Sequence, residues 1–206
     1  MTEYVKSGGR NTLKTALGHY ARISTGGAGV AIRRFGNITK TGGTLLTFLA
    51  TGQAPSNAPR FDFNQIAGKP VEEAISIITD NLIALNGDSD RIRTAMNNAL
   101  TEALEGADIF DPNNMTEDML ADITINYLTE SIFIDVQQNA GASFNYLANP
   151  IELVSRLNDL HELIRAIVDK NLSGKLENGI RVLNATQITD LQRQTIIEVW
   201  REWEKY

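Results

Sequence analysis

Apolar positions along this chain recur mostly in steps of three and four, the period of a helix that buries one face. Val71, Ile75, Ile78, Leu82 and Leu85 form the clearest stripe, with Pro70 suited to the first helical position and Gly87 as a stop. A second stripe, Ile92, Met96, Leu100 and Ala103, starts at Asp88 or Ser89, either of which can cap, and ends near Gly106. Asp111-Pro112-Asn113-Asn114 reads as a turn. Thr116, Glu117 and Asp118 then open a helix that runs through Leu120, Ile123, Tyr127 and Ile134 to about Gln138, with Gly141 as its break. Inside it, Ile132-Phe133-Ile134-Asp135-Val136 is β-branched and aromatic, so a strand is the competing reading there. Asn149-Pro150 predicts a capped start for the stripe Leu153, Leu157, Leu160, Ile164, Ile167. Gly174 and Gly179 punctuate a loop, with a short hairpin near residues 172–184, through Ile180-Arg181-Val182-Leu183, as the alternative. A last helix from Thr186 or Thr189 carries Ile188, Leu191, Val199 and Trp203, with Trp200 alongside. Strands do not alternate with helices, so the pattern predicts an all-α fold, an irregular bundle of about seven helices.

Charge changes this picture more than composition does. The formal net charge is −6, but its distribution is lopsided. Residues 1–60 hold eight bases (Lys6, Arg10, Lys14, Arg22, Arg33, Arg34, Lys40, Arg60) against the single acid Glu3, a net of +7. Residues 61–206 hold eleven bases and 24 acids, a net of −13. The first 52 residues also contain ten of the sixteen glycines, and residues 51–70 three of the five prolines. These shifts divide the chain into a basic, Gly-rich helical arm (1–52), a linker (53–69) and an acidic helical body (70–206). Residues 94–155 carry ten acids and no Lys or Arg. Such a run is a solvated face, or a surface that receives a basic partner, the N-terminal block of the same chain included.

Residue types exclude several chemistries. There is no Cys and there are only two His, which removes disulfides, thiolate nucleophiles and Cys-based zinc sites. His161-Glu162-Leu163-Ile164-Arg165 opens like a zinc-protease helix but has Arg165 where the second imidazole is needed, so a helix surface is the better reading. Asp88-Ser89-Asp90 opens like a calcium loop but has Arg93 at the glycine place and Ala99 at the twelfth, so a helix cap with first-turn acids is expected. Gly26-Gly27-Ala28-Gly29 and Gly42-Gly43-Thr44 match no phosphate-loop pattern and are read as hinges, or as sites of close helix approach. No carboxylate pair or nucleophile–histidine pair stands out. An enzyme working through carboxylates alone, with Mg²⁺, is the weakest of the open readings, because no spacing supports it, and no catalytic residue, metal or cofactor is singled out. The opening residues lack a signal-peptide core and no apolar run is long enough for a membrane span, which makes the cytoplasm the default location.

The N-terminal block is the most unusual part. Arg10 to Ser24 is amphipathic, with Leu13, Ala16 or Leu17, and Tyr20 on the apolar side, Lys14 and Arg22 wet, and His19 on the same helix. Arg33-Arg34-Phe35 follows. Positive charge with interspersed aromatics suits nucleic acid, and a steering patch for a protein partner accounts for it equally well.

Ala16-Leu17-Gly18-His19-Tyr20-Ala21-Arg22, Thr25-Gly26-Gly27-Ala28, Ala31-Ile32-Arg33-Arg34-Phe35-Gly36 and Gly43 through Leu49 together resemble the QatB family of the Qat antiphage defence systems. Phe35 stands where Met is more usual, and arginines after Gly36 are fewer than in the family pattern. The resemblance implies a non-catalytic subunit whose neighbours are an ATPase, a QueC-like protein and a TatD-like nuclease. It further implies an adaptor, or protein substrate, that binds the QueC-like partner. The amphipathic N-terminal helices would bury their apolar face against that partner, with Arg10, Lys14, Leu17, His19, Tyr20, Arg22, Arg33, Arg34 and Phe35 as the contact set. Trp200 and Trp203 are a second candidate contact, with packing onto the bundle as the alternative. Nucleic-acid binding by the same basic block remains the other functional class. Family members carry a Gly/Pro-rich leader before the Arg/Leu block. Only Ser7-Gly8-Gly9 precedes Arg10 directly, so such a leader, and any modified N-terminus, is expected outside this sequence.

Overall fold

A computed structural model describes residues 1–55, 61–147 and 149–206. The described residues form nine α-helices: α1 (Thr2–Ser7), α2 (Arg10–His19), α3 (Ala28–Arg34), α4 (Gly36–Thr51), α5 (Val71–Leu82), α6 (Ser89–Ala103), α7 (Glu117–Phe144), α8 (Pro150–Leu172) and α9 (Ala185–Trp203). A π turn, Tyr20–Ser24, continues α2. Among the described residues there is no strand, only two isolated bridges, Gln53 with Asp62 and Pro70 with Ile109. The all-α expectation is met, with nine helices against about seven. No helix among the described residues is long and apolar enough to cross a membrane.

α7 is the axis. It packs against α6, α8, α4 and α1, so its middle is covered on most sides and is buried almost all round from Ile123 to Ile132. That burial explains why Ile132-Phe133-Ile134-Asp135-Val136 is helical rather than extended: tertiary packing overrides β-propensity. Gly141 does not break α7, which continues to the buried Phe144. Thr116 caps its start by accepting from the Met119 N–H, as the sequence predicts.

Three other boundaries differ from expectation. α5 ends at Leu82, and Leu85 is 98% exposed rather than part of the apolar stripe. A local turn wins there: the Ser89 hydroxyl accepts from Asn86 N–H (2.8 Å) and donates to the Ala84 carbonyl (3.0 Å). Pro70 is the residue before α5, not its first. α9 starts at Ala185 through a capping box in which Asn184 and Gln187 satisfy each other's backbone N–H groups. The alternative hairpin near 172–184 is absent. Turns occupy that segment, held by Ile180 N–H on Glu117 (2.7 Å) and by Arg181 on the Ala50 and Met115 carbonyls.

The basic N-terminal segment is helical and its helices enter the common core. α4 lies along α9 and against α7, and α2 and α3 also pack on α9. Leu13, Leu17, Ile38, Leu45, Leu46, Phe48 and Leu49 are buried in the same cluster as the apolar residues of α5 to α9. The two glycine pairs have different uses. Gly26 and Gly27 both take positive φ (73° and 86°) in the turn between the π turn and α3. Gly42 and Gly43 lie within α4, where a methyl on Gly43 would stand 2.9 Å from the Ala185 carbonyl of α9. Of the segment 53–69, Phe61 and Ile66 are buried, and Phe61 stacks on Phe48 at 4.5 Å. Residues 56–60, Arg60 among them, lie outside the described residues.

Candidate functional site

The π turn and α3 meet α7 at one buried carboxylate. Asp135, fully buried, accepts from the Tyr20 hydroxyl at Oδ2 (2.6 Å) and from Arg34 (2.7 Å) and Arg91 (3.1 Å) at Oδ1. Asn139, one turn along α7, adds a donor to the Asp135 carbonyl (2.6 Å). Four segments are joined here: the π turn, α3, α6 and α7. Burial, and then the charge of Asp135, pushes the Tyr20 phenol well above its ordinary pKa, so it stays a hydrogen-bond donor. Part of the acidic run of residues 94–155 thus does receive the chain's own N-terminal base.

An aromatic group surrounds this joint. Phe35 meets Trp200 edge-on at 5.3 Å, Tyr20 lies 6.4 Å from both tryptophans, and Trp200 and Trp203 are 4.9 Å apart. Trp200 donates to the Thr25 hydroxyl (2.9 Å), which itself donates to the Ala21 carbonyl (2.8 Å). Trp200 and Trp203 are fully buried, so of their two readings packing onto the bundle is the one realised.

The nine residues expected at a partner therefore separate. Leu17, Tyr20 and Phe35 are buried in the chain's own core and are not surface groups; their apolar face meets α9 and α7. Arg34 is held by Asp135. Lys14 is half-buried, its ammonium 5.0 Å over the Tyr206 ring. Arg10, His19, Arg22 and Arg33 are exposed. Two exposed apolar residues that the sequence reading did not single out stand among them, Ile23 (71%) and Val30 (43%).

The surface charges are unevenly paired. Seven of the eleven bases of residues 61–206 sit within ion-pair distance of a carboxylate or capping acid, whereas among the described bases of residues 1–55 only Arg34 does. Arg22 donates to a backbone carbonyl, that of Glu204 (2.5 Å). The Glu204 carboxylate accepts from Ala28 N–H (2.8 Å) at the start of α3. Elsewhere, His161 is paired with Glu130 (2.6 Å) and meets Phe133 edge-on, so the residue that opened like a zinc motif is a contact between α8 and α7. Glu130 also accepts from Asn98 (2.8 Å). No group of three His, Asp or Glu side chains that could hold a metal ion occurs among the described residues.

Compared with protein families, the chain matches the Qat anti-phage system associated protein QatB over residues 26–202. This chain belongs to the QatB family. The match covers α3 through nearly all of α9, including Arg34, Arg91 and Asp135, and leaves α1, α2 and the π turn outside it. No curated protein and no solved structure matches the chain. Membership of the QatB family ties the chain to antiphage defence.

Proposed function

We propose that this QatB-family chain is a non-catalytic adaptor, or protein substrate, that binds a QueC-like subunit of the same Qat system through its basic N-terminal face. One observation supports this reading. Arg10, Arg22, Arg33 and Lys40 lie on a stretch with no Asp or Glu between Glu3 and Asp62, and none of them is in an ion pair among the described residues. Charges left unpaired keep their field, and such a field steers a complementary partner and fixes its register.

The test is association kinetics between the purified chain and the purified QueC-like subunit. Reversal of Arg10, Arg22, Arg33 and Lys40 to Glu is expected to lower the association rate at least tenfold at low salt, with the difference shrinking as salt rises. Failure of the unaltered chain to bind that subunit would overturn the reading. Affinity for DNA or RNA that falls steeply with salt, without affinity for the subunit, would assign the face to nucleic acid instead.

A further inference from the structure

We infer that the ridge formed by the π turn and the start of α3, with Ile23 and Val30 at its crest, is the apolar centre of the contact, and that it seats in an apolar depression rimmed by carboxylates on the QueC-like subunit. This rests on the reading just given and specifies which part of the basic face holds the partner.

The crest is exposed yet rigidly mounted. Ile23 is 71% exposed, but Tyr20 and Ala21 before it and Thr25 after it are buried. Tyr20 is tied to Asp135, and Thr25 to both Trp200 and the Ala21 carbonyl. The π turn closes through Thr25 N–H on the Tyr20 carbonyl (3.0 Å), and Gly27 N–H on the Ala21 carbonyl (2.8 Å) completes the reversal into α3. π turns are uncommon and recur at functional sites. Here the turn directs Tyr20 inward and Ile23 outward from one short segment. On the other side of the reversal, Val30 lies against Gly26, 3.4 Å from where a methyl on that glycine would be. A large apolar side chain on a pre-organised mount loses little freedom on docking, which is the property of an interface anchor.

The charge around the crest gives the chemistry of the partner. Arg22 adjoins Ile23, and Arg33 lies three residues beyond Val30, one turn along α3; both are exposed and neither is in an ion pair among the described residues. Glu204 accepts from Arg22 at its backbone carbonyl, and its carboxylate is engaged with the first N–H of α3. An apolar crest with a basic rim complements an apolar depression with an acidic rim.

The experiment is binding of the purified QueC-like subunit to variants of the full chain, with each fold checked by circular dichroism and melting temperature. Ile23→Asp with Val30→Asp is expected to weaken binding at least 100-fold, mostly through faster dissociation. Ile23→Ala, which is milder on the fold, should weaken it about tenfold. Val182→Asp, equally exposed but beside Arg181 at the opposite end of α4, should bind like the unaltered chain. Folded Ile23 and Val30 variants with affinity within twofold of the unaltered chain would overturn the ridge assignment while leaving the QueC-like reading intact. If the unaltered chain does not bind the subunit, both fall. Self-association of the unaltered chain that Ile23→Asp abolishes would identify a second copy as the occupant and overturn the assignment.

Discussion

Replacing Asp135 with Asn tests whether the joint between the N-terminal block and α7 holds the fold together. The amide keeps the size of the side chain and one acceptor oxygen, but it removes the charge that faces Arg34, Arg91 and the Tyr20 hydroxyl. Hydrogen bonds to a charged partner contribute about 1.5–3 kcal/mol against about 1 kcal/mol for neutral ones, and three donors, two of them cationic, lose their anionic acceptor at once, so the change would cost about 3 kcal/mol. Removing one side of a buried ion pair costs a similar ~3–5 kcal/mol because the other charge is left uncompensated. The lower figure fits this site, since the Arg34 side chain is 30% exposed and can turn to water. For a chain of this size about 3 kcal/mol corresponds to a fall in melting temperature of roughly 6–12 °C. Urea and thermal unfolding, followed by circular dichroism and by tryptophan emission, measure it directly. The only two tryptophans are both buried within 6.4 Å of Tyr20, so their emission reports on the joint itself. Arg34→Met should cost about 1 kcal/mol, and the double variant should show a coupling of about 1–2 kcal/mol. An Asp135→Asn chain within about 0.5 kcal/mol of the parent would refute the assignment of Asp135 as the joint.

Glycine substitutions inside helices should divide by what faces them. Gly141→Ala, in the interior of α7 with open space where the methyl would go, should raise stability by about 0.5–1 kcal/mol, whereas Gly43→Ala should lower it by about 1–3 kcal/mol because the methyl would press on Thr189 and the Ala185 carbonyl; both are read by urea midpoint. Asn184→Ala removes the capping box of α9 and should cost about 1 kcal/mol in the same assay. Burial alone would raise the Glu130 carboxyl, but hydrogen bonds from His161 and Asn98 outweigh it and hold the group below its usual 4.5. A carboxyl depressed in the native state stabilises it fully above the unfolded value and loses that contribution as pH falls through the native one. Glu130→Gln should therefore lower stability at pH 7 by about 1 kcal/mol, with the gap to the parent closing below about pH 4; a gap that does not change with pH would count against the pairing.

What could be read from the sequence follows from which interactions are local. α6, α8 and the start of α7 show themselves through the 3.6-residue apolar period, the last two also through caps a few residues away, Asn149 and Thr116. The π turn does not, because the bond that fixes Tyr20 reaches Asp135, 115 positions along the chain. Leu85 continued an apolar period that the Ser89 turn had already ended. Leu17, Tyr20 and Phe35 formed an apolar face beside basic residues, and an amphipathic pattern does not say whether that face meets a partner or the chain's own body. Here it meets α9 and α7. Ile23 and Val30 carried no periodic signal, since only the fold reveals that an apolar side chain has been left in water on a fixed mount.

Arg33 and Arg34 show how the charge arithmetic resolves. Adjacent in sequence and equivalent in composition, they are separated by about 100° around α3. Arg34 reaches Asp135 and joins the fold, while Arg33 stays exposed and outside any ion pair among the described residues. Surface pairing contributes about 0–1 kcal/mol, so stability alone gives little reason either to pair Arg33 or to keep it free. The distribution has more meaning as a division of labour within one basic block. Arg34 shares the buried acid of the body with Arg91 and so helps hold the carboxylate that fixes Tyr20 of the π turn, while its neighbour stays exposed on α3, where the proposed contact would use it.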